Sequence, residues 1–214
     1  MERMNHFFAK RVNEYDEHML NNVQGCKEGY VKMAKLIPKS CTSLLDLGCG
    51  TGLELGEIFK KMPHINVTAI DLTQEMLDSL KQKHPDKSID LICGSYFDFP
   101  FETGKYQCVI SFQTLHHFSH DLKNKLYQKI YYSLPHDGIY VECDYMVENQ
   151  EDEDFYFSES TRIRKKLGIS DNEFYHYDTP CTISNQITML KIAGFSKIEQ
   201  VFRIENTTIL VATK

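Results

Sequence analysis

The stretch that most constrains this chain is Leu44-Leu45-Asp46-Leu47-Gly48-Cys49-Gly50-Thr51-Gly52. An apolar run meets an acid and then three glycines at alternate positions. Nineteen residues beyond Gly52 a second acid, Asp71, closes another apolar run, Val67-Thr68-Ala69-Ile70. The order is strand, glycine loop, helix, strand, acid. An α/β sheet uses that order to bring bare backbone and a carboxylate to a nucleoside.

The glycine spacing narrows the ligand. A dinucleotide loop needs G-x-G-x-x-G, with its third glycine at the helix start. Counting from Gly48, that place holds Leu53; counting from Gly50, it holds Leu55. No Gly-Lys-Ser/Thr follows, so the loop is not a P-loop. What stands here is D-x-G-x-G-x-G, which closely resembles the first motif of the class I S-adenosylmethionine (SAM) dependent methyltransferases. SAM carries no phosphate, so it needs close backbone approach rather than an anion cradle, and glycine permits that approach.

The flanking sequence predicts alternating strands and helices. Strands are expected at Ser43 to Leu47, Ile65 to Ile70, Ile89 to Cys93, Tyr106 to Phe112 and Ile139 to Asp144. Helices are expected from Leu53 to Met62, from a Thr73 cap to His84, and through Leu122, Leu126, Ile130 and Leu134 behind an Asp121 cap. The alternation implies a parallel sheet with helices on both faces. Near the end, a helix from Ser184 to Ala193 closes at Gly194. Lys197 to Phe202 and Thr207 to Ala212 then sit too close for a crossover and must pair antiparallel. The expected fold is α/β: a Rossmann-like, doubly wound, mostly parallel seven-stranded sheet with a C-terminal antiparallel hairpin and a helical cap. The hairpin supports the resemblance independently of the glycine motif.

One domain, 1–214, is expected, with residues 1–38 as an N-terminal helical cap and 146–181 as a lid insertion. Phe7, Phe8, Val12, Tyr15 and Met19 recur at helical spacing, and Tyr30 to Ile37 mark a second helix stopped by Pro38. The lid begins acidic and reads as a short helix from Ser158, ending in Arg162, Arg164, Lys165, Lys166 and a Gly168 cap. An aromatic cluster, Phe174, Tyr175, His176 and Tyr177, follows. An insertion after the fifth strand lies where open α/β sheets bind ligands.

The resemblance implies roles for individual residues. The cofactor would be SAM and the product S-adenosyl-L-homocysteine. Asp46, Gly48, Cys49, Gly50 and Gly52 form the matched loop. Asp71 matches the acid that grips both ribose hydroxyls, and a carboxylate can accept two hydrogen bonds at once. Leu72 and Met76 would lie beside the adenine. Where the family often has Gly-Asp-Ala, this chain has Gly94-Ser95-Tyr96, so Ser95, the backbone N–H groups of Ser95 and Tyr96, or nearby Asp98 would meet the adenine. Ser111, Phe112 and Gln113 would hold the methionyl part. The following Thr114-Leu115-His116-His117-Phe118 is similar to the S-x-x-x-L-H-H of many relatives. Tyr15-Asp16 is similar to a Tyr-Asp whose ring lies over the sulfonium, a favourable cation–π position.

The candidate catalytic residues are His116, His117 and Tyr15. Imidazole titrates near neutral pH. Adjacent side chains at a helix start diverge, so one histidine at most is expected to face the cleft. No spaced His/Asp/Glu set accompanies the pair, so no metal is expected.

Composition bounds the partners. The formal net charge of −6 argues against a long nucleic-acid groove. No run of 18 apolar residues marks a membrane span, and the polar first residues are unlike a secretory signal. The seven cysteines form no C-x-x-C pair and read as reduced, buried thiols of a cytoplasmic protein. The leading expectation is methyl transfer to a nucleophilic atom of a small molecule. The competing readings are a tRNA or other nucleic-acid methyltransferase using the Arg162–Lys166 cations, a non-catalytic SAM-binding protein, and SAM chemistry other than methyl transfer. The acceptor atom and the oligomeric state are not encoded in these motifs.

Overall fold

A computed structural model describes residues 1–170 and 173–214; two positions of the expected lid, 171 and 172, lie outside the described residues. In chain order the elements are β1 (Glu2–Arg3), α1 (Met4–Ala9), α2 (Val12–Asn21), α3 (Cys26–Leu36), β2 (Ser43–Leu47), α4 (Leu53–Lys61), β3 (Asn66–Asp71), α5 (Gln74–Lys83), β4 (Ile89–Cys93) and β5 (Cys108–Phe112). A 3₁₀ turn, Leu115–His117, follows. Then come α6 (His120–Ser133), β6 (Ile139–Val147), α7 (Gln150–Leu167), β7 (Tyr175–His176), β8 (Cys181–Thr182), α8 (Ile183–Ala193), β9 (Lys197–Ile204) and β10 (Thr207–Thr213).

The main sheet runs β4-β3-β2-β5-β6-β10-β9, the expected seven strands, with two-residue β8 added beside β6. β2 to β6 are parallel, and β10 lies antiparallel between β6 and β9. From β2 the chain winds outward one way through β3 and β4, then returns to start β5 on the other side. The loops after β2 and β5 therefore diverge at a switch point, which opens a crevice there.

Strand alternation builds two cores. Leu44, Cys108, Ile110 and Phe112 face α3 and α4, packing with Tyr30, Met33, Leu55 and Ile58. Leu45, Leu47 and Val109 face α6 and α8, packing with Leu126, Ile130 and Leu190. Helix α3 is thus a layer of the main core, whereas α1 and α2 reach over the crevice.

The structure departs from the sequence reading at several ends. The single helix expected through Phe7 and Met19 is broken at Lys10–Arg11, because Phe7 stacks on His176 of β7 while Tyr15 lies against the glycine loop. The lid helix starts at Gln150, not Ser158. Asn149 accepts from the Asp152 N–H at 2.9 Å, and Glu151, Asp152 and Glu153 sit in the first turn, where the helix dipole favours acids. Ser119, not Asp121, caps α6. Thr73 makes no side-chain cap; Asp71 accepts its N–H instead. Cys93 is exposed, while the other six thiols are buried and all seven are free.

The lid is tied to the N-terminal segment. β1 pairs antiparallel with β7, Met4 N–H donates to Phe174 O at 3.1 Å, and Arg3 meets Glu173 at 2.9 Å. Among the described residues, no helix is long and apolar enough to cross a membrane.

Candidate active site

The glycine loop is held by β3. Gly48 and Cys49 N–H both donate to Ile70 O, at 2.8 and 3.1 Å. Gly50 N–H donates to Asp71 Oδ2 at 2.9 Å, and Thr73 N–H to Asp71 Oδ1 at 2.8 Å. Gly48, Gly50 and Gly52 all have positive φ. The tightest approach is at Gly48, where a Cβ would lie 2.3 Å from Thr114 Oγ1 on the loop after β5; at Gly52 it would lie 2.9 Å from Leu80 Cγ. The two switch-point loops touch because Gly48 has no side chain. Burial raises the Asp71 carboxyl to about 6, against the backbone donors that hold it down.

Cavities run along this crevice. One of about 50 Å³ is lined by Gly48, Asp71, Leu72, Gly94, Ser95 and Tyr96. A neighbour of about 40 Å³ is lined by Tyr15, Gly48, Gly50, Asp71, Met76 and Gln113. A third, of about 720 Å³, shares Phe8, Tyr15, Gln113 and His117 with the second. Only the third reaches the size typical of a small-molecule site. α1 narrows the other two with Met4 and Phe8.

Not every expected residue reaches these cavities. Ser111 Oγ is bonded to Tyr140 OH at 2.7 Å, and Phe112 stacks on Tyr30 at 4.0 Å, so both side chains serve the core. Cys49 and Asp46 are buried behind the loop and Gly52 starts α4. Among the described residues neither Asp46 oxygen has an N–H donor, and its polar neighbour is the Glu54 carboxyl, with which it can share a proton. Burial, with Glu54 beside it, holds the Asp46 carboxyl well above the usual range, while burial raises Glu54 to about 7. Gln113, at φ 52°, turns its amide towards Thr207 Oγ1 at 3.2 Å. Ser95 Oγ accepts from Phe97 N–H, and Asp98 is exposed outside the three cavities. Asp16 ties α2 to the loop through Thr51 and to α5 through Lys83.

The floor of the large cavity corrects the reading of the histidines. Both His116 and His117 line it, together with His176 and Asp178. They stand in a 3₁₀ turn with ring centroids 4.0 Å apart, rather than diverging from a helix start. His116 Nδ1 lies 2.6 Å from Asp144 Oδ1 within β6. His116 Nε2 and His117 Nδ1 lie 3.7 and 3.3 Å from Asp178 Oδ1. Burial opposes a charged His116, but the Asp144 and Asp178 carboxylates together outweigh it and raise the pKa. Burial and His116 lower that of His117; burial and His117 bring His176 down to about 4. Asp178 was missed by sequence reasoning. It falls in an aperiodic lid stretch, and nothing in the chain pairs it with residues sixty positions earlier.

Behind the floor, Lys123 is buried and donates to Cys181 Sγ at 3.2 Å. Of the lid cations, Arg162 is paired with Glu159 and Arg164 donates to Glu173 O, so the proposed phosphate patch is partly committed within the lid.

A family model described as a methyltransferase domain matches residues 44–138. A carboxy-S-adenosyl-L-methionine synthase of Trichodesmium erythraeum is 30% identical over 97% of this chain and 88% of its own. One of Nautilia profundicola is 25% identical over 100% of this chain and 96% of its own. Among solved structures, human N-acetylserotonin methyltransferase in complex with SAM superposes with TM-score 0.68 at 17% identity, covering 98% of this chain. The chain spans 56% of that enzyme's length.

Proposed function

This chain belongs to the class I SAM-dependent methyltransferase family, and from that premise we propose that it methylates a small molecule held in the 720 Å³ cavity. The observation that carries this reading is the junction at Tyr15, Gln113 and His117. These residues line both the cavity against Asp71 and the glycine loop and the large cavity floored by histidines.

The residues fit SAM. Asp71 spends one lone pair of each oxygen on Gly50 and Thr73, which leaves others for the two ribose hydroxyls. A Cβ at Gly50 would point at the Tyr15 ring 3.6 Å away, so the loop presents bare backbone there. Asp46 and Glu54 back the loop with two buried carboxyls, and a cationic amino acid end bound beyond the loop would draw them towards their ionised forms. Leu72 and Met76 would flank the adenine, with Gly94, Ser95 and Tyr96 at its edge. Cys49, Gly52, Ser111 and Phe112 would act only by shaping the backbone, and Gln113 by walling the passage.

When bound, SAM supplies a methyl carbon made electrophilic by its sulfonium. The chain must align an acceptor with that carbon and exclude water, and alignment contributes roughly 7–11 kcal/mol. Tyr15 would face the sulfonium. His116, set by Asp144, and His117 would hold and activate the acceptor's nucleophilic atom. Phe7, Phe8 and His176 close the cavity from the cap and lid.

Calorimetric titration with SAM and S-adenosylhomocysteine tests the donor site. Micromolar binding to wild type is expected. Asp71→Ala should weaken it by roughly two orders of magnitude, the effect of losing two hydrogen bonds to a charged acceptor. No binding to folded wild type would overturn the assignment. The kinship with carboxy-SAM synthases favours a second reading, in which SAM itself is modified. Mass spectrometry separates the two: S-adenosylhomocysteine supports methyl transfer, and a carboxylated SAM overturns it.

A further inference from the structure

We infer that His116, His117 and Asp178 form a site for one divalent transition-metal ion, of the zinc type, at the floor of the acceptor cavity. This inference rests on the reading above only for its use; the site itself stands on geometry. One ligand atom from each of the three residues lies within 4.8 Å of the others. Asp178 Oδ1 is 3.3 Å from His117 Nδ1 and 3.7 Å from His116 Nε2, and among the described residues neither contact completes a hydrogen bond; His117 Nδ1 also lies 3.3 Å from Tyr177 O, a contact the ion would replace. Those gaps are long for charge-assisted hydrogen bonds. A tetrahedral ion with ligands near 2.0–2.2 Å separates its donor atoms by roughly 3.3 Å.

Three further features point the same way. The ligand set is two imidazoles and one carboxylate, which suits zinc and its first-row neighbours. Asp144 receives the other nitrogen of His116 at 2.6 Å, the carboxylate–histidine support that metal-ligating histidines commonly have. All three residues line the 720 Å³ cavity, so the remaining coordination position would open towards the acceptor. An ion there would act as a Lewis acid on an acceptor oxygen and ease its deprotonation near neutral pH. That narrows the acceptor class to small molecules methylated on a metal-coordinating oxygen.

A second cluster, His120, Glu153 and Cys181, has comparable spacing but the wrong charge. The Lys123 ammonium lies 3.2 Å from Cys181 Sγ and would sit against any cation. Glu153 is already committed to Thr182 N–H, Asn185 and His120.

Metal-stripped full-length protein should be titrated with Co²⁺ and followed by visible absorption, with Zn²⁺ as competitor. The expected result is one equivalent of Co²⁺ with intense d–d bands of a four- or five-coordinate site, displaced by Zn²⁺. His117→Ala and Asp178→Asn should abolish the bands, and Asp144→Asn should weaken affinity about 10- to 100-fold. Asp178 has a 41% exposed side chain, so its variant should fold. SAM titration of the same variants reports the donor site separately. Absent bands with intact SAM binding would overturn the metal and leave a protonic His116–Asp144 pair. Bands that survive both ligand variants but vanish in Cys181→Ser would also overturn it.

Discussion

The two ends of the crevice are built differently. The proposed donor end is local: the loop after β2, with Gly48 and Gly50, is held to Ile70 and Asp71 of the adjacent β3 by hydrogen bonds of 2.8–3.1 Å. The proposed acceptor end is assembled from distant pieces. Phe7 and Phe8 come from α1, the histidines from the turn after β5, and His176 and Asp178 from the lid. The donor end belongs to the sheet, while the acceptor end is clasped onto it. A clasped region can change with little cost to the sheet, and that is where this fold can vary its chemistry.

The sharpest way to break this comparison is Gly48→Ala. It puts a Cβ 2.3 Å from Thr114 Oγ1 at φ 71°. A left-handed backbone and an overpacked contact together should cost on the order of 3 kcal/mol or more. Thermal melts and SAM titration should both collapse. Retained SAM affinity would show that the two loops are less tightly fitted than their contact implies.

Phe7→Ala should act on the clasp alone. It removes the stack on His176, with centroids 3.5 Å apart. Stability should fall by about 1 kcal/mol, SAM affinity should hold, and the acceptor KM should rise severalfold. An equal loss in SAM affinity would merge the two ends into one unit.

A gentler probe is pH. Asp71 is raised to about 6 in the fold, above an unfolded carboxyl near 3.8. Its share of stability is therefore fullest below the unfolded value and is lost as pH rises through about 6. The ribose contact proposed for Asp71 needs the opposite form, the carboxylate. SAM affinity should decline as pH falls below about 6, by up to about tenfold per unit, and Asp71→Asn should flatten that slope. The smallest effect is expected from Gly168→Ala at the lid helix end. Its φ is 62°, but among the described residues no atom lies within 4 Å of the added Cβ, so about 1 kcal/mol and unchanged SAM binding are expected.

How legible each end was follows from the same contrast. The strand at Ser43–Leu47 and the acid at Asp71 were readable because glycine spacing and strand length are written in consecutive residues. The acidic run before Ser158 was misread because its role depends on Asn149 capping the helix that those acids begin. That both histidines face the cavity depends on the 3₁₀ turn, which places successive side chains differently from an α-helix start. Asp178 had no readable partner, because only the folded lid sets it beside His116 and His117.

Phe8 lines all three cavities, so in the proposed function one short helix would be a wall for donor and acceptor alike. Each ligand's binding free energy then depends on the position of α1 that the other requires. Linkage makes this dependence reciprocal: whatever factor the acceptor imposes on SAM affinity, SAM imposes on the acceptor. The two substrates would therefore bind as a thermodynamic pair, and a spent donor that still props α1 in place would slow the departure of the product beside it.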